Sequence, residues 1–322
     1  MQAEYFERWN IWRDQKPSGI HQEWVAQRLD NEEVKLSAPN SDILRARLVE
    51  YERRNIHGIV LPADSVKATM PNIARVYDYW LGGKDNSAAD REMGDRVKAV
   101  VPQMPLLARQ NRWFLGRAVK FLAGKAGIGR FLDIGSGLPT MNNVHEVAQA
   151  TRADAEVVYV DNDPVVLAHA RALLATDRHT HAVHGDVYEP EKIVEAAREI
   201  FGGDDRPVAV LMLAVMHFVP DKHAYRIVHR IMDAMPYGSF LVLSHVADTP
   251  EIRAASGVYH ASAVRAVPRS VAGVRRFFRG LELLEPGVVP LPLLLPDTDF
   301  IPDLDDRPEM ASALAGVGWK RR

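Results

Sequence analysis

Apolar residues follow two different periodicities along the chain, and the change between them lies near residue 60. Over residues 1 to about 60, aromatic and aliphatic residues recur at helical spacing. The residues that carry this pattern are Phe6, Trp9, Trp12, Ile43, Leu44, Leu48 and Tyr51. Ser41 can cap the second helix, and Gly58 lies where a helix commonly ends. This segment is predicted to be helical and to pack on the main domain, with a homodimer contact or a lid as alternatives.

From Arg130 onward, short β-branched runs alternate with helical segments, which is typical of βαβ units and a parallel sheet. Five strands are predicted, at residues 130–134, 156–160, 180–184, 208–213 and 240–244, and two more are expected within 280–291 and 313–321. The clearest helix begins at Asp163, an N-cap candidate followed by proline at the first helical position. The predicted fold is α/β and Rossmann-like, with a helical extension over residues 1–69 and a main domain over residues 70–322.

Composition and charge narrow the classes of protein. The formal net charge is −2 and the sequence pI is about 6.6, whereas a protein that binds nucleic acid through phosphates is usually strongly basic. The chain has no cysteine, which excludes thiolate metal sites and cysteine nucleophiles and suits the cytoplasm. Its apolar stretches are too short to cross a bilayer, and its first residues do not resemble a signal peptide. We expect a cytoplasmic protein without membrane or nucleic-acid partners.

The sequence FLDIGSGLPT, at residues 131–140, joins an apolar strand to a glycine-rich turn ahead of a helix. Gly135 and Gly137, on either side of Ser136, permit a tight turn and let a ligand approach the backbone closely. Asp133 lies near the end of the strand. The turn alone is a weak signal, and a purely structural turn remains the alternative. A dinucleotide site would prefer a third glycine at position 140, where this chain has threonine.

Acidic residues follow the next two predicted strands. Asp161 ends the second strand beside Asn162, where a carboxylate can accept hydrogen bonds from both ribose hydroxyls of a nucleoside. Asp163 is the competing helix cap, so we assign the ribose to Asp161. Asp186, next to Val187, follows the third strand, where it can accept from the amine of adenine. The ordered acids at positions 133, 161 and 186 favour S-adenosylmethionine over NAD.

The fourth strand leads into MLAVMHFVPD, and ligands of open α/β sheets bind at the carboxyl ends of strands. Ala214 is therefore expected beside the cofactor and His217 near the reaction centre, where it is the candidate general base. The alternative is that His217 packs at the start of a helix and contacts no substrate. The histidines share no metal-ligand spacing, and no HExxH motif occurs, so no metal is expected.

With these residues in place, the chain resembles the actinobacterial S-adenosyl methyltransferase family long catalogued as a domain of unknown function and called methyltransferase group nineteen. The likeness covers about residues 71 to 290. Seven segments carry it: PNIARVYDYWLGGKDNSAADRE, ARQNRWFLGRAVKFL, FLDIGSGLPT, VYVDNDPVVLAHARALL, LAVMHFVPD, GSFLVLSH and FFRGLELLEPGVVPL. The resemblance implies a class I methyltransferase fold, with a seven-stranded sheet covered by helices on both faces, and S-adenosylmethionine as cofactor.

The resemblance also carries Gly135, Gly137, Asp161 and Asp186 into cofactor-site roles and marks residues 75–86 as characteristic. Polar and aromatic side chains beside the Gly82-Gly83 pair suit a lid, within an N-terminal lid segment over residues 71–105. The set assigned to the lid or the substrate is Arg75, Tyr77, Tyr79, Lys84, Asn86 and Arg112. A helix that simply ends at a glycine pair is the alternative.

The expected function is methyl transfer to a small-molecule or natural-product acceptor by in-line displacement. Most of the catalysis would be positioning of the acceptor and exclusion of water. A non-catalytic S-adenosylmethionine-binding regulator and an NAD-dependent oxidoreductase are the alternatives. The first 60 residues and the segment after Pro290 depart from the family's usual ends, so the resemblance implies no particular acceptor.

Overall fold

The computed structural model describes residues 9–15, 22–28, 35–38, 71–139, 142–173, 178–259, 266–295 and 311–322. Contacts between Cα atoms divide the chain into two units, Met1–Ser65 and Val66–Arg322. In the described part of the first unit, three strands form an antiparallel sheet in the order β1-β2-β3. They are β1 (Trp9–Gln15), β2 (Gln22–Arg28) and β3 (Lys35–Ala38).

The helical prediction for residues 9–38 is therefore wrong. Trp9 pairs across the sheet with Arg28, and Trp12 pairs with Val25, in an antiparallel register. The three-residue spacing of the tryptophans is typical of a helix, but aromatic and β-branched residues also favour strands, and Pro17 and Gly19 are residues typical of turns. The predicted helix around Ile43 to Tyr51, with its cap at Ser41, lies outside the described residues.

The second unit is built on one mixed sheet in which five neighbouring strands are parallel. These strands are β4 (Arg130–Ile134), β5 (Glu156–Asp161), β6 (Thr180–His184), β7 (Ala209–Leu213) and β8 (Phe240–Val246). The five predicted strands are thus confirmed, with ends that shift by no more than two residues. Their central positions are fully buried in β4 and β7, as expected for parallel strands with helices on both faces.

The sheet has the order β10-β11-β8-β7-β4-β5-β6, and β9 also pairs with β11. Here β11 (Ala313–Trp319) is antiparallel to β8, while β9 (Glu282–Leu283) and β10 (Val289–Pro290) pair antiparallel with opposite halves of β11. The two short strands occupy one strand position, interrupted by a turn that contains Pro286 and Gly287. The seven strand positions of the predicted class I methyltransferase fold are therefore present.

Nine α-helices accompany the sheet in the described part of this unit. They are α1 (Ile73–Trp80), α2 (Ala88–Val100), α3 (Met104–Gly124), α4 (Val144–Thr151), α5 (Pro164–Leu173), α6 (Pro190–Ile200), α7 (Asp221–Ala234), α8 (Pro250–Tyr259) and α9 (Val271–Arg275). None of the described helices is long and apolar enough to cross a membrane.

Alternating strand residues feed two hydrophobic cores, one on each face of the sheet. Phe131 of β4 packs with the buried side of α3, whereas its neighbour Leu132 packs with α6 and α7. A third cluster joins α1, α2 and α8 beyond the end of β8. The helices therefore cover both faces of the sheet, and the third cluster stands over the carboxyl ends of its strands.

Candidate active site

A cavity of about 480 Å³ opens at the carboxyl ends of the parallel strands. Open α/β sheets bind ligands at this edge. All the residues predicted to bind the cofactor line the cavity: Asp133, Gly135, Ser136, Gly137, Asp161, Asn162, Asp186, Val187 and Ala214. Tyr77, Arg112 and His217 line it as well. Four members of the predicted lid or substrate set, Arg75, Tyr79, Lys84 and Asn86, do not.

The turn after β4 requires glycine for two separate reasons. Gly135 has a φ of 71°, and a Cβ atom added there would lie 2.4 Å from Cγ2 of Val215. Gly137 has a φ of 66°, and no atom lies within 4 Å of the place where its Cβ would be. Side chains other than glycine are strained at such angles. The turn therefore presents bare backbone to the cavity.

Asp161 is tied to the glycine turn by its own carboxylate. Its Oδ2 accepts a hydrogen bond from the backbone N–H of Gly137 at 3.0 Å, and its Oδ1 accepts one from the N–H of Asp163 at 2.9 Å. Burial raises the pKa of this carboxyl. Asp163 Oδ1 in turn accepts from the N–H of Val165 at 2.7 Å. Asp163 is thus the cap of α5, as the sequence predicts, and the Asp161 carboxylate faces the cavity.

Asp133 is the most strongly perturbed acid of the cavity. It is only 4% exposed, and burial raises the pKa of its carboxyl to about 7, against the opposing effect of the Arg112 charge. Arg112 also donates from Nη2 to the carbonyl oxygen of Asn142 at 3.1 Å. A carboxyl group and a guanidinium cation consequently lie close together near the end of β4.

At the end of β6, Asp186 Oδ1 accepts a hydrogen bond from the backbone N–H of Tyr188 at 2.9 Å. The half-buried Val187 lies between them, and the ring of Tyr188 is exposed at the cavity rim. The three predicted acids therefore lie at or just beyond the carboxyl ends of three adjacent strands, because the sheet places β4, β5 and β6 side by side.

A chain of hydrogen bonds crosses the other half of the cavity. The N–H of Ala214, which has a φ of 56°, donates to Ser244 Oγ at 2.9 Å. Ser244 Oγ donates to Asn111 Oδ1 at 2.6 Å, and Asn111 Nδ2 donates to the hydroxyl of Tyr77 at 3.0 Å. Asn111 and Ser244 both line the cavity. No local pattern marks either residue, because 133 positions separate them.

His217 lies in a short 3₁₀ turn after β7 and is only 6% exposed. Burial lowers its pKa well below the usual value, and the neighbouring His245 and Arg269 lower it further. Its ring is 5.4 Å from that of His245, centroid to centroid. The imidazole is therefore neutral across the physiological range of pH, unlike the ordinary histidine that the sequence suggested.

His245 and Arg269 form the support behind His217. Arg269 Nη1 contacts Nε2 of His245 at 2.6 Å and donates to the carbonyl oxygen of Met216 at 2.8 Å. Since arginine can only donate, Nε2 is the acceptor and the proton of His245 lies on Nδ1, which is 2.8 Å from the carbonyl oxygen of Val246. Burial lowers the pKa of His245 to about 3. Sequence reasoning missed both residues.

Ser136 Oγ in the glycine turn and His217 Nδ1 at the other end of the cavity are both buried and have no hydrogen-bond partner within the described part of the chain. Unpartnered buried polar groups are rare in folded proteins and call for an explanation. The described residues contain no group of three or more His, Asp or Glu side chains placed to hold a metal ion.

Most polar side chains of the segment at residues 75–86 bind α2 or one another, whereas Tyr77 and Trp80 of the same segment line the cavity. Arg75 Nε donates to the fully buried Asp90 at 2.8 Å, and the Tyr79 hydroxyl donates to Asp95 at 2.9 Å. Asn86 Nδ2 donates to Asp78 at 2.9 Å, and Lys84 is exposed. The start of α1 also reaches the cavity, where Asn72 Nδ2 donates to Asp163 Oδ2.

The chain is similar to proteins of one family over most of its length. The profile of a family described as S-adenosyl methyltransferase matches residues 61–321. The crystal structure of a candidate methyltransferase from Thermobifida fusca YX is 39% identical, covers 82% of this chain and 100% of its own, and has a TM-score of 0.75. A DUF574 family protein from Streptomyces avermitilis is also 39% identical, covers 78% of this chain and 98% of its own, and has a TM-score of 0.72. No curated protein matches the chain.

Proposed function

We propose, because the chain belongs to the S-adenosyl methyltransferase family, that its cavity binds cofactor and acceptor in two adjoining halves and that the acceptor is a small molecule. The protein is an S-adenosylmethionine-dependent methyltransferase. The observation that carries the proposal is the sequence of acids at the ends of β4, β5 and β6 in one cavity with a histidine after β7. A homodimer and the absence of a nucleic-acid partner stay predictions.

The side chains at the ends of β4, β5 and β6 fit this cofactor. Asp161 can accept from the ribose hydroxyls, and Asp186 can accept from the adenine amine. At the methionine end, the cofactor has an ammonium and a carboxylate, which the neighbouring Asp133 and Arg112 match in charge. The unpartnered hydroxyl of Ser136 and the bare backbone at Gly137 offer further hydrogen bonds.

When bound, the cofactor supplies a methyl group on a positively charged sulfur. The protein's contribution is to hold the acceptor in line with that group and to exclude water. Ala214 and the Ser244–Asn111–Tyr77 chain form the floor on which the acceptor is positioned. His217 is the group that takes the acceptor proton.

The lowered pKa of His217 is compatible with that role. A hydroxyl oxygen becomes a much stronger acid as it is methylated, so even a weak base can accept its proton at that moment. Before then, the neutral imidazole accepts a hydrogen bond from the hydroxyl and orients it. Arg269 and His245 disfavour the protonated form of His217. The imidazolium therefore releases its proton to solvent after the transfer.

Calorimetry with the full chain tests whether the cofactor half of the cavity binds its proposed ligand. S-adenosylhomocysteine should bind with one-to-one stoichiometry and raise the melting temperature. Lack of both effects at millimolar ligand, for a folded protein, would overturn the proposal. Tight binding without turnover against a broad acceptor panel would favour a regulator, and a change in nicotinamide fluorescence on titration with NADH would favour an oxidoreductase.

A further inference from the structure

We infer that the acceptor is a neutral, largely apolar molecule that carries one hydroxyl group, received in a subsite between α1, α2 and α8. The inference rests on the proposed function, because it concerns the acceptor half of the same cavity. Beyond methyl transfer itself, we assign a chemical class to the acceptor and name the residues that select it.

The first observation is the composition of the wall. The third hydrophobic cluster of the protein contains Trp80 and Val97 from α1 and α2, and Ile252 and Ala255 from α8. The same residues line the cavity, together with Met104 and Phe218 from neighbouring elements. Contact with this wall removes apolar surface of a ligand from water, at about 25 cal/mol for each Å². A ligand with little apolar surface would gain little there.

The second observation is the distribution of charge around the cavity. Among the described lining residues, every charged side chain belongs to the cofactor half: Arg112, Asp133, Asp161, Asp163 and Asp186. The histidines of the acceptor half, His217 and His245, have lowered pKa values and are neutral. Since an ion buried without a partner loses its hydration at high cost, the acceptor half favours an uncharged molecule.

The third observation is the set of neutral hydrogen-bonding groups on the floor of the acceptor half. The imidazole of His217 and the chain from Ser244 through Asn111 to Tyr77 can orient a hydroxyl but offer no countercharge to an ion. Atoms and charge balance when the acceptor oxygen forms the bond to the methyl carbon, the carbon–sulfur electron pair remains on sulfur, and the acceptor proton passes to His217 and then to water.

Two adjacent alanines of α8 allow a matched test. Ala255 is 3% exposed and lines the cavity, while Ala254 is exposed on the outer side of the same helix. Tryptophan at position 255 would fill the acceptor subsite. The same substitution at position 254 would add an equal side chain outside the cavity.

The probes are 2-naphthol, which is apolar with one hydroxyl, and 2-naphthoate, which places a carboxylate on the same ring system. Binding of each to the full chain is measured by calorimetry in saturating S-adenosylhomocysteine, and methyl transfer is followed separately with labelled S-adenosylmethionine. We expect 2-naphthol to bind at least tenfold more tightly than 2-naphthoate. We expect A255W to weaken 2-naphthol binding at least tenfold with unchanged affinity for S-adenosylhomocysteine, and A254W to change neither.

Affinity for S-adenosylhomocysteine distinguishes failure of the proposed function from failure of the inference on the acceptor. If the wild-type chain fails to bind it, the proposed function fails. If the wild-type chain binds S-adenosylhomocysteine but does not bind 2-naphthol, the inference on the acceptor is overturned. It is also overturned if the affinity for 2-naphthoate equals or exceeds the affinity for 2-naphthol, as it would if Arg112 received an anionic acceptor. If A255W does not fold, A255L is measured in its place, and undiminished binding of 2-naphthol to that folded variant would also overturn the inference.

Discussion

Oδ2 of Asp161 accepts a hydrogen bond from the backbone N–H of Gly137 at 3.0 Å, so the end of β5 and the turn after β4 are joined across the cofactor half of the cavity. Oδ1 of the same carboxylate accepts from Asp163. A side chain held by two backbone donors is fixed before any ligand arrives, which lowers the entropy lost on binding.

Replacing Asp161 by alanine should weaken binding of S-adenosylhomocysteine by about 1 to 3 kcal/mol, because it removes charge-assisted hydrogen bonds to the ribose hydroxyls. Calorimetry on the two folded proteins measures the difference. D154A is the control, since Asp154 is exposed and pairs only with Arg152 among the contacts described. Unchanged affinity in D161A would show that another residue binds the ribose.

Affinity for S-adenosylhomocysteine should depend on pH through Asp133. Its carboxyl has a pKa of about 7 in the free protein, and the ammonium of the ligand would lower that pKa, so the complex favours the ionised form. Affinity should therefore fall as pH decreases below 7, by up to about tenfold for each pH unit, and level off above 7. Calorimetry between pH 5.5 and 8.5 measures this slope.

D133N provides the control for that slope, which should become shallower in the variant. Because the pKa of Asp133 is raised in the folded protein, ionisation of its carboxyl lowers the free energy of unfolding. This loss of stability is absent below the unfolded-state pKa near 4 and complete above about pH 7. D133N should accordingly raise the melting temperature more at pH 8 than at pH 5. Equal effects at the two pH values would contradict the shifted pKa.

Arg75 should affect stability rather than cofactor binding. R75A leaves Asp90 buried without its cationic partner, and loss of one member of a buried ion pair costs about 3–5 kcal/mol. Urea unfolding measures the change. The control is R96A, which removes the exposed Arg96–Glu92 pair of α2 and should cost less than about 1 kcal/mol. If R75A reduced affinity for S-adenosylhomocysteine without reducing stability, Arg75 would belong to the ligand site.

Cofactor binding should slow hydrogen exchange at the start of α1. Asn72 caps this helix and also donates to Asp163, next to the proposed ribose acid. We therefore expect protection of residues 73–80 on addition of S-adenosylhomocysteine, with little change in α6, none of whose residues lines the cavity. Identical exchange in the free and bound protein would exclude closure of α1 over the cofactor.

His217 should control the chemical step. With an acceptor hydroxyl, H217A should lower the single-turnover rate at saturating cofactor by about 100-fold or more and leave S-adenosylhomocysteine affinity nearly unchanged. Because its pKa is lowered well below 6.5, the wild-type rate should show no loss from His217 protonation between pH 8 and pH 6. An inflection near pH 6.5 that disappears in H217A would contradict the neutral imidazole.

The sequence anticipated the parts of the fold and site that depend on short stretches of chain. Parallel strands buried on both faces are continuous apolar runs, so β4 to β8 could be located closely. Carboxyl ends of adjacent parallel strands meet at one edge, which is why Asp133, Asp161 and Asp186 could be placed in one cavity before their contacts were known.

The remaining features depend on contacts between distant segments. Ser244 reaches Asn111, and Arg269 reaches His245 and the turn that holds His217, and no local spacing marks such pairs. Arg75 of the predicted lid is directed into a buried ion pair with Asp90, 15 positions away, which its local sequence does not indicate. At the N-terminus, Trp9 and Trp12 lie three positions apart, which puts them on one face of a helix but on opposite faces of a strand, and so short a stretch does not decide between the two.

A crystal structure of the full chain with S-adenosylhomocysteine would locate the two halves of the cavity. We expect the ribose hydroxyls on the Asp161 carboxylate, the adenine beside Asp186 and Val187, and the sulfur directed toward the half that contains His217 and Ala255. A ligand bound with its ribose away from Asp161, or with its sulfur turned away from His217, would show that the cavity is not divided in this way.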